Sequence, residues 1–172
     1  KGMEAIGAEL NTRFPEYQEL SLPAPLSVDQ VQALLRRNEA MVVYAIGDER
    51  SWLWVVRPGK AEFIPLKADL KSLTEHVKAI RAQMELAGAG KLQEVDVASL
   101  HVLYQGVFEP AVPHLAGVRH IMLVPAGPLQ SLPFGILVAS PPSEIESFAD
   151  YRQVDWLAKR YALSVLPSVS SI

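Results

Sequence analysis

The 172-residue sequence predicts an α/β fold that opens in an α+β manner. An antiparallel β-meander and two helices lead into the first strands of a parallel sheet, and three observations predict this. Between Glu39 and Leu66 the apolar residues follow period two, and between Leu70 and Phe108 they recur at three and four. His120 to Pro125, "HIMLVP", then sets four consecutive apolar residues between a polar residue and a breaker, the pattern of a strand buried on both faces. Hydrophobic residues make up 49% and charged residues 20%, so a chain of this length can bury a sizeable core.

The elements follow in order. Residues 1–26 are punctuated by proline at Pro15 and again at Pro23 and Pro25 and have weak periodicity, which predicts an extended approach segment with at most a short helix. Residues 27–117 are expected to form a supporting lobe of meander and helices. Ser27, with Gln30 three positions on, has the spacing of a capping box, and a short helix should follow with Val28, Val31, Leu34 and Leu35 inward. "AMVVYAIG", "SWLWVV" and "AEFIPL" read as three strands, with "GDER" as the first turn. In the second strand Trp52, Trp54 and Val56 share one face and Leu53 and Val55 the other. Pro65 lacks a ladder donor, which places its strand end at an edge or terminus. Leu70, Leu73, Val77, Ile80 and Met84 form one helical stripe, with Lys71, Glu75 and Lys78 on a solvated face. After "AGAGK", Asp96 is placed to cap a second helix whose Val97, Leu100, Leu103, Tyr104, Val107 and Phe108 look inward. Pro110 and Pro113 should make its end irregular.

Residues 118–172 should start the α/β core. "LVPAGPLQSLPFGIL" holds three prolines and two glycines, yet its only nucleophile is the hydroxyl of Ser131. Pro125 and Gly127 stop the strand, Pro128 fixes the exit, and Leu129, Leu132, Phe134, Ile136 and Leu137 return apolar weight to the core. Such conformational control is expected to serve a buried turn at a strand's end. Ser140 to Asp155 reads as an exposed polar loop, and "YALSVLP" returns to strand pattern. Pro167 and Ser168 look like the boundary and N-cap of a helix with Val169 and Ile172 inward. One or two parallel strands cannot cover both faces of a sheet, so the fold reads as incomplete, with an exposed apolar edge near "YALSVL".

Composition narrows the function classes. Sixteen Lys and Arg against nineteen Asp and Glu give a net charge of −3 with no like-charge stripe, which disfavours nucleic-acid binding. No apolar run approaches the ~20 residues of a membrane span, and a cytoplasmic setting is expected. With no cysteine, the chain can hold neither a disulfide nor a thiolate nucleophile.

"VRHIMLVPAGPLQSLPFGILVA", followed after a polar loop by "WLAKRYALSVLPSVSSI", resembles the opening half of CHAT domains, the caspase-like and separase-like peptidase family often attached to tetratricopeptide repeats. "LSVDQVQALLRRNEAMVVYAIGDERSWLWVV" is similar to the segment preceding that core. The resemblance implies a caspase-like sheet and a parent cysteine peptidase, in which a strand-end histidine in a His-Gly context activates a strand-end cysteine. Both positions would follow "YALSVLPSVSSI". Here His76, His101, His114 and His120 precede Val, Val, Leu and Ile, and there is no cysteine, so no catalytic residue carries over.

The other candidate groups point to no chemistry. His101, which lies near Tyr104 and Glu109, and His114 and His120 match no standard metal-ligand spacing and read as helix-surface or helix-end residues. "SVSSI" and "LQSLP" lack a nucleophile elbow, and Glu144, Glu146 and Asp150 sit in the polar loop as solvated charge. The prolines of "PAGPLQSLP" have an SH3-ligand-like spacing, but apolar flanks argue for burial. No catalytic, cofactor-binding or metal-binding residue is therefore assigned, and no cofactor is expected. Two functions stand: the non-catalytic N-terminal portion of a CHAT peptidase whose dyad lies outside this chain, or a non-enzymatic scaffold or interaction module. Either calls for a protein or peptide partner: the missing C-terminal half, an upstream repeat domain or a second copy.

Overall fold

Ser27 starts the first described helix in the way its sequence requires. Its hydroxyl accepts from the Gln30 N–H at 3.3 Å while the Gln30 side chain accepts from the Ser27 N–H at 2.8 Å, closing the capping box of α1 (Val28–Leu34). The computed structural model describes residues 26–88 and 95–172, apart from the side chains of 86–88. The approach segment expected before Leu26 lies outside the described residues.

The meander follows as β1 (Glu39–Ile46), β2 (Ser51–Arg57) and β3 (Lys60–Leu66), paired antiparallel in sequence order. Gly47 opens the first turn, where a Cβ would lie 2.7 Å from the Arg50 carbonyl oxygen that accepts the Gly47 N–H. Any other residue there would have to push the hairpin open. Two helices, α2 (Leu70–Gly88) and α3 (Val97–Val107), come next, and Asp96 caps α3 by accepting from the Ser99 N–H at 3.0 Å. Past Phe108 the chain tightens into a 3₁₀ helix, Glu109–His114, as its two prolines dictate. Arg57 donates to the carbonyl of its last residue, His114, at 3.0 Å.

β4 (His120–Val124) then pairs parallel with β1, and β5 (Ala162–Val165) pairs parallel with β4. The result is one mixed five-stranded sheet in the order β3-β2-β1-β4-β5. β1 thereby joins the meander to the parallel strands, and Ala40, Met41 and Val42 at its centre are fully buried. The architecture is α/β.

The inner face carries Ala40, Val42, Tyr44, Leu53, Ile121 and Leu123 under α2 and α3. On the outer face Met41, Val56 and Val124 pack against Val31 and Leu35 of the α1 region, with Val169 and Ile172 at the rim. β2 alternates as expected, and Pro65 sits on the edge strand β3.

Three expectations need correction. Val28 and Leu34 are 47% and 54% exposed, because a seven-residue helix touches the sheet only through the stripe of Val31 and Leu35. Met84 is 44% exposed, beside an open groove lined by Gln130, Leu132 and Pro133 rather than under the sheet. After Pro167 the chain forms a 3₁₀ turn, Val169–Ser171, and the Ser168 hydroxyl bonds that of Ser171 instead of capping a backbone N–H.

Candidate functional site at the carboxyl ends of the parallel strands

In open α/β sheets, sites form outside the carboxyl ends of parallel strands. Here that rim is built by the proline- and glycine-rich segment after β4. Gly127 takes φ +55°, and its Cα faces Ile46 at the end of β1 and Leu70 at the start of α2, each 3.7 Å from where a Cβ would stand. Pro128 lies in the first turn of a 3₁₀ helix, Gly127–Ser131, and Phe134–Ile136 forms a second. The Ser131 hydroxyl donates to the Pro128 carbonyl at 3.0 Å, so the segment's single nucleophilic group is spent on its own turn. Leu129, Leu132, Phe134 and Leu137 are buried, and Phe134 lies against Tyr44 with ring centroids 5.5 Å apart. The segment is a buried strand-end turn, as its composition predicts.

Its far end is tied to the second of the two signatures that carry the family resemblance, which begins at Trp156. Leu157 donates to the Leu137 carbonyl and Ala139 to that of Asp155, both at 2.8 Å, around an antiparallel bridge between Val138 and Trp156. Gly135 lets this turn close on the short helix α4 (Leu157–Arg160), since a Cβ there would stand 3.3 Å from that of Ala158. The polar loop between the signatures is thus an excursion with a pinned neck. At that neck Ser140 donates to Asp155 at 2.6 Å, and Arg160 pairs with the same carboxylate. The Arg160 hydrogen bond holds Asp155 below the usual carboxylate range. Farther out, Asp150 accepts from the Ser147 and Glu146 N–H groups at 2.8 and 3.1 Å, and the Ser147 bonds depress its pKa in the same way. It closes a turn and pairs with no second acid there.

The histidines go to four separate places. His76 is exposed on α2 and its ring bonds the Ser72 carbonyl at 2.7 Å. His101 bonds the Val138 carbonyl at 2.9 Å and stacks on Tyr104. His114 lies 3.9 Å from Glu62. Among the described residues no three of His, Cys, Asp or Glu gather into a metal-binding group.

His120, read both as a helix-end histidine and as the polar residue that opens "HIMLVP", is the first residue of β4, where it joins three strands on the outer face. Its Nε2 is 2.8 Å from the Ser164 hydroxyl on β5, and its Nδ1 is 3.5 Å from Glu39 on β1. Glu39 is buried and accepts the Arg36 N–H at 2.9 Å, which with the His120 bond holds its carboxyl below the usual range against the cost of burial. Sequence reasoning missed this line because its members stand 81 and 44 positions apart, and only the sheet order brings them together. The three share the polarity of a Ser-His-acid relay, but Ser164 sits inside a regular strand without the strained elbow that exposes a nucleophile.

The sheet's two edges differ. β3 carries Pro65, Lys60 and Glu62, devices that discourage strand addition. β5 carries neither proline nor charge, and its Val165 is 58% exposed. Ala162 and Leu166 donate to β4-side carbonyls of Arg119 and Leu123, so strand alternation turns the Leu163 and Val165 amides outward.

No helix among the described residues is long and apolar enough to cross a membrane. No curated protein matches the chain. The family model described as "CHAT domain" matches residues 97–172, from the start of α3 through β5 to Ile172, while the meander lies upstream of the match. The segment from Val97 to Ile172, which holds the strand-end turn and its pinned neck, is thus similar to part of a CHAT domain.

Proposed function

We propose that this chain is the N-terminal, non-catalytic portion of a CHAT-domain cysteine peptidase, a scaffold for a His/Cys dyad that lies outside these 172 residues. The bare edge of β5 carries the reading. Three strands already run parallel through β1, β4 and β5, the outermost turns two amides outward, and among the described residues no strand pairs with them and no charge or proline on β5 guards them. A strand added there extends the sheet and presents its own carboxyl end beside the proline-rich turn, where caspase-type chemistry belongs. The lack of any cysteine supports placing the nucleophile elsewhere. A cytoplasmic setting goes with this reading. A non-enzymatic CHAT-like interaction module would use the same edge, and a His-Gly and a cysteine at later strand ends of the parent sequence separate the two.

Sedimentation velocity tests the edge. The chain is expected to self-associate as concentration rises, while Val165→Lys stays monomeric with an unchanged melting temperature. A wild-type monomer at all concentrations, with Leu163 and Val165 amides protected from exchange, overturns the reading.

A further inference from the structure

We infer that His120 is a register pin for β5, and through β5 a positioning residue for whatever strand continues the sheet. The inference rests on the scaffold reading for its functional consequence, but its structural part stands alone.

β5 is four residues long, pairs on one side only among the described residues, and has the burial pattern of a half-wet edge. Apolar contacts specify its register poorly. A slip of one residue would turn Leu163 and Val165 off the inner face, and the side-chain period forbids it. A slip of two keeps every side chain on its face and exchanges Leu163 for Val165 opposite Ile121, a loss of one methylene against the core. Parallel hydrogen bonding is preserved as well, because it repeats every two residues.

The polar line on the outer face breaks this degeneracy. A two-residue slip carries Ser164 along β4 by about 6.6 Å. The imidazole cannot follow, since its Nδ1 side faces Glu39, and Glu39 is fixed by the Arg36 N–H at 2.9 Å and is nine-tenths buried. Starting from 2.8 Å, the His120–Ser164 bond is lost in either direction, leaving a half-buried ring nitrogen without its partner. In the native register both ring nitrogens have partners: Nδ1 lies 3.5 Å from Glu39 and Nε2 lies 2.8 Å from the Ser164 hydroxyl. One polar contact thus selects among registers that apolar packing leaves nearly equivalent, the role single buried polar residues play in coiled coils. Everything after β5 inherits the choice. Leu166, Val169 and Ile172, which follow β5 and pack at the edge of the outer cluster, are carried along with it.

Amide hydrogen exchange by NMR on the full 172-residue chain tests the pin. In Ser164→Ala, and separately in His120→Phe, the Ala162 and Leu166 amides should exchange at least tenfold faster and the β5 resonances should double. Amides between β1 and β2 should keep their protection, and Ser164→Thr, which restores a hydroxyl, should recover the wild-type pattern. Unchanged protection of Ala162 and Leu166 in both variants overturns the inference, and so does a uniform loss across the sheet with no rescue by threonine. The experiment needs no second strand, so its failure is distinguishable from failure of the scaffold reading.

Discussion

Tyr44 illustrates how single polar atoms are spent in this molecule. Its ring lies in the inner core, burial raises its pKa, and its hydroxyl donates to the Val107 carbonyl at 3.1 Å, fastening β1 to the end of α3. Tyr44→Phe keeps the ring and removes that bond, so urea denaturation should show a loss of about 1 kcal/mol. Ser51 is the opposite case. Its hydroxyl is buried with no partner among the described residues, and Ser51→Ala should be neutral or stabilising in the same measurement. Glu39 makes stability depend on pH. Its folded pKa lies below its unfolded value, so its contribution is present above about pH 4.5 and is lost as pH falls through the folded value. The stability difference between wild type and Glu39→Gln should therefore shrink on acidification from pH 6 to pH 3. None of these partnerships was legible in the sequence, because Tyr44 and Val107, or Glu39 and His120, meet only after the strands have chosen their neighbours.

At the scale of elements, local signals were read well and extents of burial less well. The capping box at Ser27, the Asp96 cap, the edge proline in β3 and the irregular end of α3 are all set by residues within a few positions of one another. Val28, Leu34 and Met84 were assigned inward because periodicity identifies a face but not how far a neighbour covers it. The strand-end turn was legible for the same local reason as the caps: prolines and glycines constrain their own backbone whatever lies beyond them. At Gly127 the constraint is conformational rather than steric, since the space beside it would admit a methyl group at ordinary contact distance. Gly127→Ala should cost about 1–2 kcal/mol through its left-handed backbone, with little change in the core, as thermal denaturation and near-UV circular dichroism would show.

For the whole molecule, the class α/β and the antiparallel meander followed from period alone, whereas the sheet order did not. That β1 lies between β2 and β4 depends on a parallel pairing across more than seventy residues, and no local pattern encodes it. Under the proposed function, the chain scaffolds chemistry that another segment supplies. The most direct test is hydrolysis of casein and of arginyl fluorogenic peptides by the purified 172-residue chain, beside its Ser164→Ala and His120→Gln variants. No turnover is expected from any of the three. Turnover by the wild-type chain that disappears in either variant would contradict it, because the Glu39–His120–Ser164 line would then be a working relay and the chain an enzyme in its own right.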